Sequence, residues 1–304
     1  MVIAVTMAKL LTAMLIGLYL GKKGILDHHT KNKMSELVLM FTSPALCIAS
    51  VTTIKERNDS LVMSLLLIGV VMYILLPILG YLIAKILRID KDLTGTYTCM
   101  IIFSNTAFMG YPVVQALFGD EAIFYTLILH MPFNILFYSL ALYLFSKDGG
   151  GKSKFEWKKL INTGLISGVL ALVLYFSKWN MPDLIAEPLK FVGNTTMPLS
   201  MIIIGASLSV FSLKEVFGQP RLYLMSAIRL FGMPVLTFLF LTLMTDNLMI
   251  IQVGTIISGM PIASMVAMGS AEYEKQGRHA ALAVALTTIF AMITIPIVAM
   301  ILGV

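Results

Sequence analysis

Three groups of residues in this chain stand out as polar among apolar neighbours, and their types are those that bind rather than react. One is Ser104-Asn105-Thr106, followed closely by Gly110-Tyr111-Pro112; another is Pro261-Ile262-Ala263-Ser264, reached through Ser258-Gly259-Met260. Amides and hydroxyls supply donors and acceptors, while Gly and Pro inside an apolar helix free backbone groups that then need a partner. Each break also starts a new half-helix, whose first N–H groups and positive dipole end favour an anion. Gly110 gives room for close backbone approach, and Pro112 belongs to the same break.

The third group is spread out in the sequence. Arg229 lies about nine residues, roughly 13 Å, inside an apolar segment. At that depth it serves either as the counter-charge of a bound anion or as the partner of helix carbonyls. His130 and Asn134 are one helical turn apart beside Pro132 and share a face. They are placed to line the same cavity, with His130 acting either as a proton carrier or as a hydrogen-bonded packing residue. His28 and His29 sit in a basic loop and read as solvated.

The elements that must hold these groups are membrane helices. With 58% hydrophobic residues and 12% charged, and a mean hydropathy of +0.90, the chain cannot cover a soluble domain with polar surface. Ten apolar segments of about 17 to 25 residues are expected, each long enough for a hydrocarbon core of about 30 Å. They run near 3–21, 34–53, 61–87, 95–117, 121–145, 159–177, 186–210, 220–244, 248–271 and 279–303. The glycine- and lysine-rich stretch from Ser146 to Lys154 reads as a flexible linker dividing five helices from five. The organisation is therefore a first five-helix repeat over 1–146, a cytoplasmic linker over 147–158 and a second repeat over 159–304.

An odd number of helices per half makes the two halves inverted. Loop spacing pairs Ser104-Asn105 of the fourth segment with Pro261-Ile262 of the ninth. At 1.5 Å per residue both breaks fall about 15 to 20 Å into their segments, near mid-membrane, where two antiparallel broken helices can cross. Lys and Arg crowd the loops near 22–33, 85–91, 147–159, 214–221 and 275–278, against Lys55, Arg57, Lys178 and Lys190 on the other face. The positive-inside rule then puts the crowded face in the cytoplasm and both termini outside.

Several classes are excluded or disfavoured. The net charge of +6 is spent on orientation rather than on nucleic acid. Cys47 and Cys99 lie in apolar segments without metal-ligand spacing, and no cofactor or metal is indicated. No phosphate-binding loop for an ATP motor occurs. Asp59, Glu187 and Asp246 fall near segment ends, so the paired carboxylates common at ion-coupled sites are missing. An intramembrane enzyme would have to rest on Ser104 or Ser264 with His130, for which no motif gives the spacing.

Asn105-Thr106 with Gly110-Tyr111-Pro112 and Phe118-Gly119, the Gly21-Lys22-Lys23-Gly24-Ile25-Leu26 turn, the prolines Pro44 and Pro198, and Met260-Pro261 running on to Ala271-Glu272-Tyr273 resemble the auxin efflux carrier family. That family includes plant auxin carriers and bacterial permeases, and the resemblance covers nearly the whole chain. It implies an all-α integral membrane fold of ten transmembrane helices, as two inverted five-helix repeats with broken crossover helices 4 and 9. Helices 1, 2, 6 and 7 would form a scaffold that dimerises, and helices 3–5 and 8–10 a moving domain. The family's crossover asparagine falls on Asn105 and its ninth-helix proline on Pro261. Substrates would be small organic anions, carboxylates such as malate, malonate or auxin-like acids.

Plant carriers have a proline where this chain has Ser104, and the linker here is short, as in bacterial members of the inner membrane. The expected ligand-holding set is Ser104, Asn105, Thr106, Gly110, Pro112, Pro261, Ile262, Ala263 and Ser264, with Arg229, His130 and Asn134 beside them. A sodium- or proton-coupled symporter of the bile-acid-transporter type shares the architecture and is the competing expectation, and a non-transporting receptor is the remoter one.

Overall fold

The computed structural model describes residues 2–150, 160–271 and 273–304. Helix α1 (Val2–Lys22) is followed by α2 (His28–Thr53), α3 (Asp59–Ile86), α4 (Thr94–Ile102), α5 (Thr106–Phe118), α6 (Glu121–Leu129) and α7 (Met131–Asp148). The second half contains α8 (Thr163–Phe176), α9 (Asp183–Leu208), the short α10 (Leu213–Phe217), α11 (Pro220–Met244), α12 (Leu248–Ser258), α13 (Ser264–Ser270) and α14 (Glu274–Ile301). The described residues form no strand beyond one isolated bridge.

Six of these helices are long and apolar enough to cross a membrane, or seven if the bent pair α6 and α7 is one span. The ten apolar segments of the sequence do not give ten long helices, for identifiable reasons. The fourth is split at 103–105 and the ninth at 259–263, leaving pieces of half-membrane length. The fifth bends by 40° at His130, next to Pro132, which has no N–H to continue the helix. The sixth begins only at Thr163, where the side chain of Asn162 accepts the N–H of Leu165 at 3.1 Å.

The surface is inverted relative to a soluble protein. Leu67, Ile86, Phe191 and Leu243 are exposed, whereas Thr96, Thr126, Ser200 and Thr287 are buried. Thr126 and Thr287 return their hydroxyls to the carbonyls of Ala122 and Ala283, at 2.8 and 2.7 Å, so neither adds a free polar atom to the core. The chain is a multi-pass membrane protein.

Helix packing sorts the elements into two groups. α1 lies along α9, and α2 packs on α8 and α9; α4 packs on α3 and α7, and α14 on α11 and α13. The α1–α9 seam depends on Gly17 and Gly205, since a Cβ on either would strike backbone of the facing helix, at Ile202 and Met14 respectively.

Three helices open into a wide π-helical turn just before a proline: Val38–Thr42 before Pro44, Thr106–Gly110 before Pro112 and Ile228–Gly232 before Pro234. The widened turn accommodates the proline's missing N–H and the ring's clash with the preceding turn.

Two sequence expectations about loops change. His28 and His29 open α2 rather than lying in a loop, because the Asp27 carboxylate accepts the N–H of Thr30 at 2.8 Å and caps the helix. The first residues of the expected linker are also ordered: Ser146 and Asp148 are buried in the last turn of α7, and only residues 151–158 of it lie outside the described residues.

Candidate functional site

The two breaks meet. Helix α4 ends at Ile102, the chain runs extended through Phe103 and Ser104, and α5 starts at Thr106. Opposite it, α12 ends at Ser258 and α13 starts at Ser264. The N–H of Asn105 donates to the Pro261 carbonyl and the N–H of Ala263 to the Phe103 carbonyl, each at 2.9 Å. These two bonds set Ser104 and Ile262 opposite one another as an antiparallel bridge. Backbone groups freed by the two breaks thus satisfy each other in a site where Ser104 is 4% exposed, Asn105 3% and Ile262 0%. Thr287 of α14 donates its hydroxyl to the Ala283 carbonyl and accepts the Ile262 N–H at 3.3 Å, supporting the crossing from behind.

Side chains reinforce the crossing. Asn105 Nδ2 donates to Ser264 Oγ at 3.4 Å, the one direct side-chain link between the breaks among the described residues. The Asn105 carbonyl accepts the N–H groups of Met109 and Gly110, opening the wide first turn of α5. The N–H groups of Ala107 and Phe108 have no backbone partner among the described residues, as expected of a helix start.

A cavity of about 110 Å³ lies against these half-helix starts. Thr106 and Ala107 of α5 and Met265 of α13 form part of its wall, with Tyr111, His130, Phe133, Asn134 and Tyr138 beside them. The facing wall is Leu39, Ser43, Pro44 and Cys47 of α2, with Asn162, Thr163, Gly164 and Ser167 at the start of α8. The cavity therefore sits between the two packing groups. No charged side chain lines it among the described residues, so local charge comes from backbone dipoles. His130 Nδ1 faces the Thr126 carbonyl at 3.2 Å; a carbonyl only accepts, so Nδ1 carries the proton and Nε2 is left as an acceptor.

The residues singled out from the sequence divide into three sets. Thr106, His130 and Asn134 line the cavity. Ser104, Asn105, Pro261, Ile262, Ala263 and Ser264 build the crossing behind it. Arg229, Gly110 and Pro112 are in neither position. Gly110 makes room for the Ile257 side chain of α12, and Pro112 is buried in the first turn of the regular part of α5.

Arg229, 1% exposed, donates Nη1 to the Ile101 carbonyl at 3.0 Å, in the last turn of α4. This contact is of the kind expected of a partner of helix carbonyls. Its Nε and Nη2 have no partner among the described residues.

The other end of α4 is held as well. The Asp148 carboxylate accepts the N–H groups of Gly95 and Thr96 at 3.0 and 2.6 Å and the Thr96 hydroxyl at 2.8 Å. Sequence reading overlooked Asp148 because it lies beside the glycine-rich stretch, and Asn162, Thr163 and Ser43 because single polar residues at helix starts or near prolines carry no pattern. Tyr138 was open to inference, being one turn beyond Asn134 on the same face.

On the side of the crossing away from α8's first turn, the two packing groups touch. Gln115 of α5 donates Nε2 to Asn194 Oδ1 of α9 at 3.0 Å and to Asp120 at 2.8 Å. Near Asp90 and Asp92 the loop between α3 and α4 is tied to the second half by ion pairs, Arg221 with Asp90 at 3.2 Å and Lys275 with Asp92.

Residues 2–299 match the membrane transport protein family. An uncharacterized transporter of Methanocaldococcus jannaschii is 26% identical over 293 residues, covering 94% of each chain. An uncharacterized transporter of Methanothermobacter thermautotrophicus is 24% identical over 296 residues, covering 96% of each. These relatives are named as transporters and not as enzymes. With a family match from end to end over a helical chain whose two broken helices cross inside it, the protein belongs to the membrane transport protein family, the auxin efflux carriers that its asparagine-to-proline stretch resembles.

Proposed function

We propose that this transporter carries a small organic anion by alternating access, with its substrate held in the cavity at the crossing. The observation that carries the reading is the cavity wall: the first residues of α5 and α13 face a partly open space of mixed polar and apolar lining with no charged side chain in it. Such a space is electrostatically suited to an anion, which the start of α5 attracts without a fixed cation to trap it. Asn134 offers an amide donor to a carboxylate, beside the Thr106 hydroxyl and the Asn162 amide, which also donate to the Ser104 and Leu160 carbonyls, and Asn105 and Ser264 hold the two breaks at one depth. The small volume favours compact carboxylates of the malonate or malate class over an indole-sized acid.

In this reading the chain makes ten crossings in two inverted sets of five. α4 with α5 and α12 with α13 each form one broken crossing, and α8 forms a short one. α1, α2, α8 and α9 are the scaffold, on which a second copy docks, and the remaining helices move against it. The lysine-rich loops lie in the cytoplasm, both termini lie outside, and the membrane is a bacterial-type plasma membrane. The Gln115–Asn194 contact then closes the outer side, while the cavity lies toward the first turn of α8, the inner side.

The test is reconstitution of the purified chain in liposomes, with uptake and counterflow of labelled C3 and C4 carboxylates and of indole-3-acetate, in sodium and in sodium-free buffer. Saturable carboxylate counterflow independent of sodium, reduced at least about tenfold in Asn105→Ala, supports the proposal. Absence of counterflow for every anion, or strict sodium dependence, overturns it, the latter in favour of a bile-acid-transporter type of symport.

A further inference from the structure

Away from the crossing, a larger basin of about 510 Å³ opens at the end of the molecule where α2 finishes and α9 begins. Lys55, Arg57 and Lys190 line it, with Asp183 as the carboxylate in the wall and Trp179 and Asn180 at the rim. The loops at this end are poor in basic residues: Lys55, Arg57, Lys178 and Lys190 are the four that the sequence assigns to this face, and three of them converge on one depression. Three cations against the one carboxylate of Asp183 leave the lining of the basin net positive, which favours a ligand of opposite sign.

Arg57 is held in place there. Its Nη1 donates to the Tyr175 carbonyl at 2.9 Å, and its guanidinium lies over the Tyr175 ring, 5.7 Å from the centroid. Lys190 meets Glu187 at 3.0 Å, on the exposed side of α9. Lys55 has no ion-pair partner among the described residues.

Apolar surface flanks the basin. Asp183, Ala186 and Lys190 face it from one side of α9, and at about 100° per residue Leu184 and Phe191 lie about a third of a turn round the helix. These two side chains are 87% and 77% exposed. Trp179, half-exposed at the rim, is the residue type that settles at the boundary of headgroups and acyl chains. Cations in an open depression, an interfacial tryptophan and an apolar wall continuing down the helix match the three parts of a phospholipid in order.

We infer that this basin binds the phosphodiester headgroup of an anionic phospholipid, whose acyl chains run along the Leu184 and Phe191 face of α9. The chemistry recognised is a phosphate oxyanion, and the apolar wall assigns it to a lipid rather than to free phosphate. The site is independent of the substrate cavity and of the proposed cargo.

The experiment is native mass spectrometry of the full-length chain from mixed micelles containing phosphatidylglycerol and phosphatidylcholine in equal amounts, with and without millimolar inorganic phosphate. Phosphatidylglycerol is expected to be retained over phosphatidylcholine, and phosphate to displace it poorly. At about 1 kcal/mol per basic residue, the double variant Lys55→Gln with Lys190→Gln weakens the preference about thirtyfold. Arg57→Lys, which keeps the charge, retains most of it. Lys31→Gln with Lys33→Gln, at the opposite end, leaves it unchanged, and circular dichroism verifies that each variant is folded. Equal retention of both lipids, a preference that survives the double variant, or displacement by phosphate alone would each overturn the inference.

Discussion

Arg229 donates Nη1 across 3.0 Å to the carbonyl oxygen of Ile101, at the carboxyl end of α4. Asp148 accepts the first N–H groups of the same helix. A half-helix with a carboxylate on its positive end and a guanidinium on its negative end has both termini of its dipole compensated. The start of α5, which faces the cavity, is left without such a counter-charge.

Replacing Arg229 with Met is therefore expected to lower the maximal transport rate about tenfold or more while leaving the apparent substrate affinity within about threefold. Leaving the buried Ile101 carbonyl unpaired costs about 1–3 kcal/mol of stability, and Arg229→Lys recovers part of both losses. Initial-rate kinetics in proteoliposomes and thermal unfolding check this. An effect confined to substrate affinity would instead place the guanidinium on the substrate.

Asn105 bridges the breaks through Ser264. Asn105→Ala is expected to reduce anion transport at least about tenfold, with a stability loss of about 1 kcal/mol. Asn105→Asp, which sets a negative charge behind the start of α5, abolishes anion transport outright. Counterflow assays separate the two, and equal activity of the Asp variant would remove the anion from this site.

The contact between Gln115 and Asn194 joins the two packing groups. Cysteines at both positions are expected to form a disulfide that stops transport, with activity restored by reduction. Native Cys47 and Cys99 are buried and give little background. Transport that continues in the fully crosslinked protein would rule out separation of these faces during the cycle.

Gly205 lets α9 lie directly on α1. Gly205→Val forces the helices apart and is expected to cost more than about 3 kcal/mol, seen as aggregation or loss of the monodisperse peak in size-exclusion chromatography. Gly24, whose added Cβ meets nothing, is the contrasting position: its positive φ of 71° strains any side chain, but Asn tolerates the left-handed region, so Gly24→Asn is expected to cost no more than about 1 kcal/mol.

The Asp92 carboxyl is held below the usual carboxylate range, first by the hydrogen bond from Lys275. Glu215 is held down by the Ser212 side chain and backbone. Carboxylates with depressed folded-state pKa values stabilise the fold fully above the ordinary range near 4 and lose that contribution as pH falls through the folded values. Thermal unfolding followed from pH 6 down to pH 3 is expected to show a falling midpoint at the acid end, less steep in Asp92→Asn.

Composition and segment length were enough to establish a helical membrane protein, because transfer of apolar side chains into lipid depends on residue type and run length and little on what the chain meets later. The breaks at Ser104-Asn105 and Pro261-Ile262 were legible for a related reason: Pro and Gly change the backbone locally wherever they stand. Which half-helix ends are compensated was not local. The Arg229–Ile101 pair spans 128 residues, and in sequence its cation looks the same whether it faces a carbonyl or a substrate. Asp148 likewise became a helix cap only because α7 returns beside α4. The cavity has the same origin: Thr106, His130 and Asn162 are ordinary polar residues until packing of α2 and α8 against the crossing encloses the space between them.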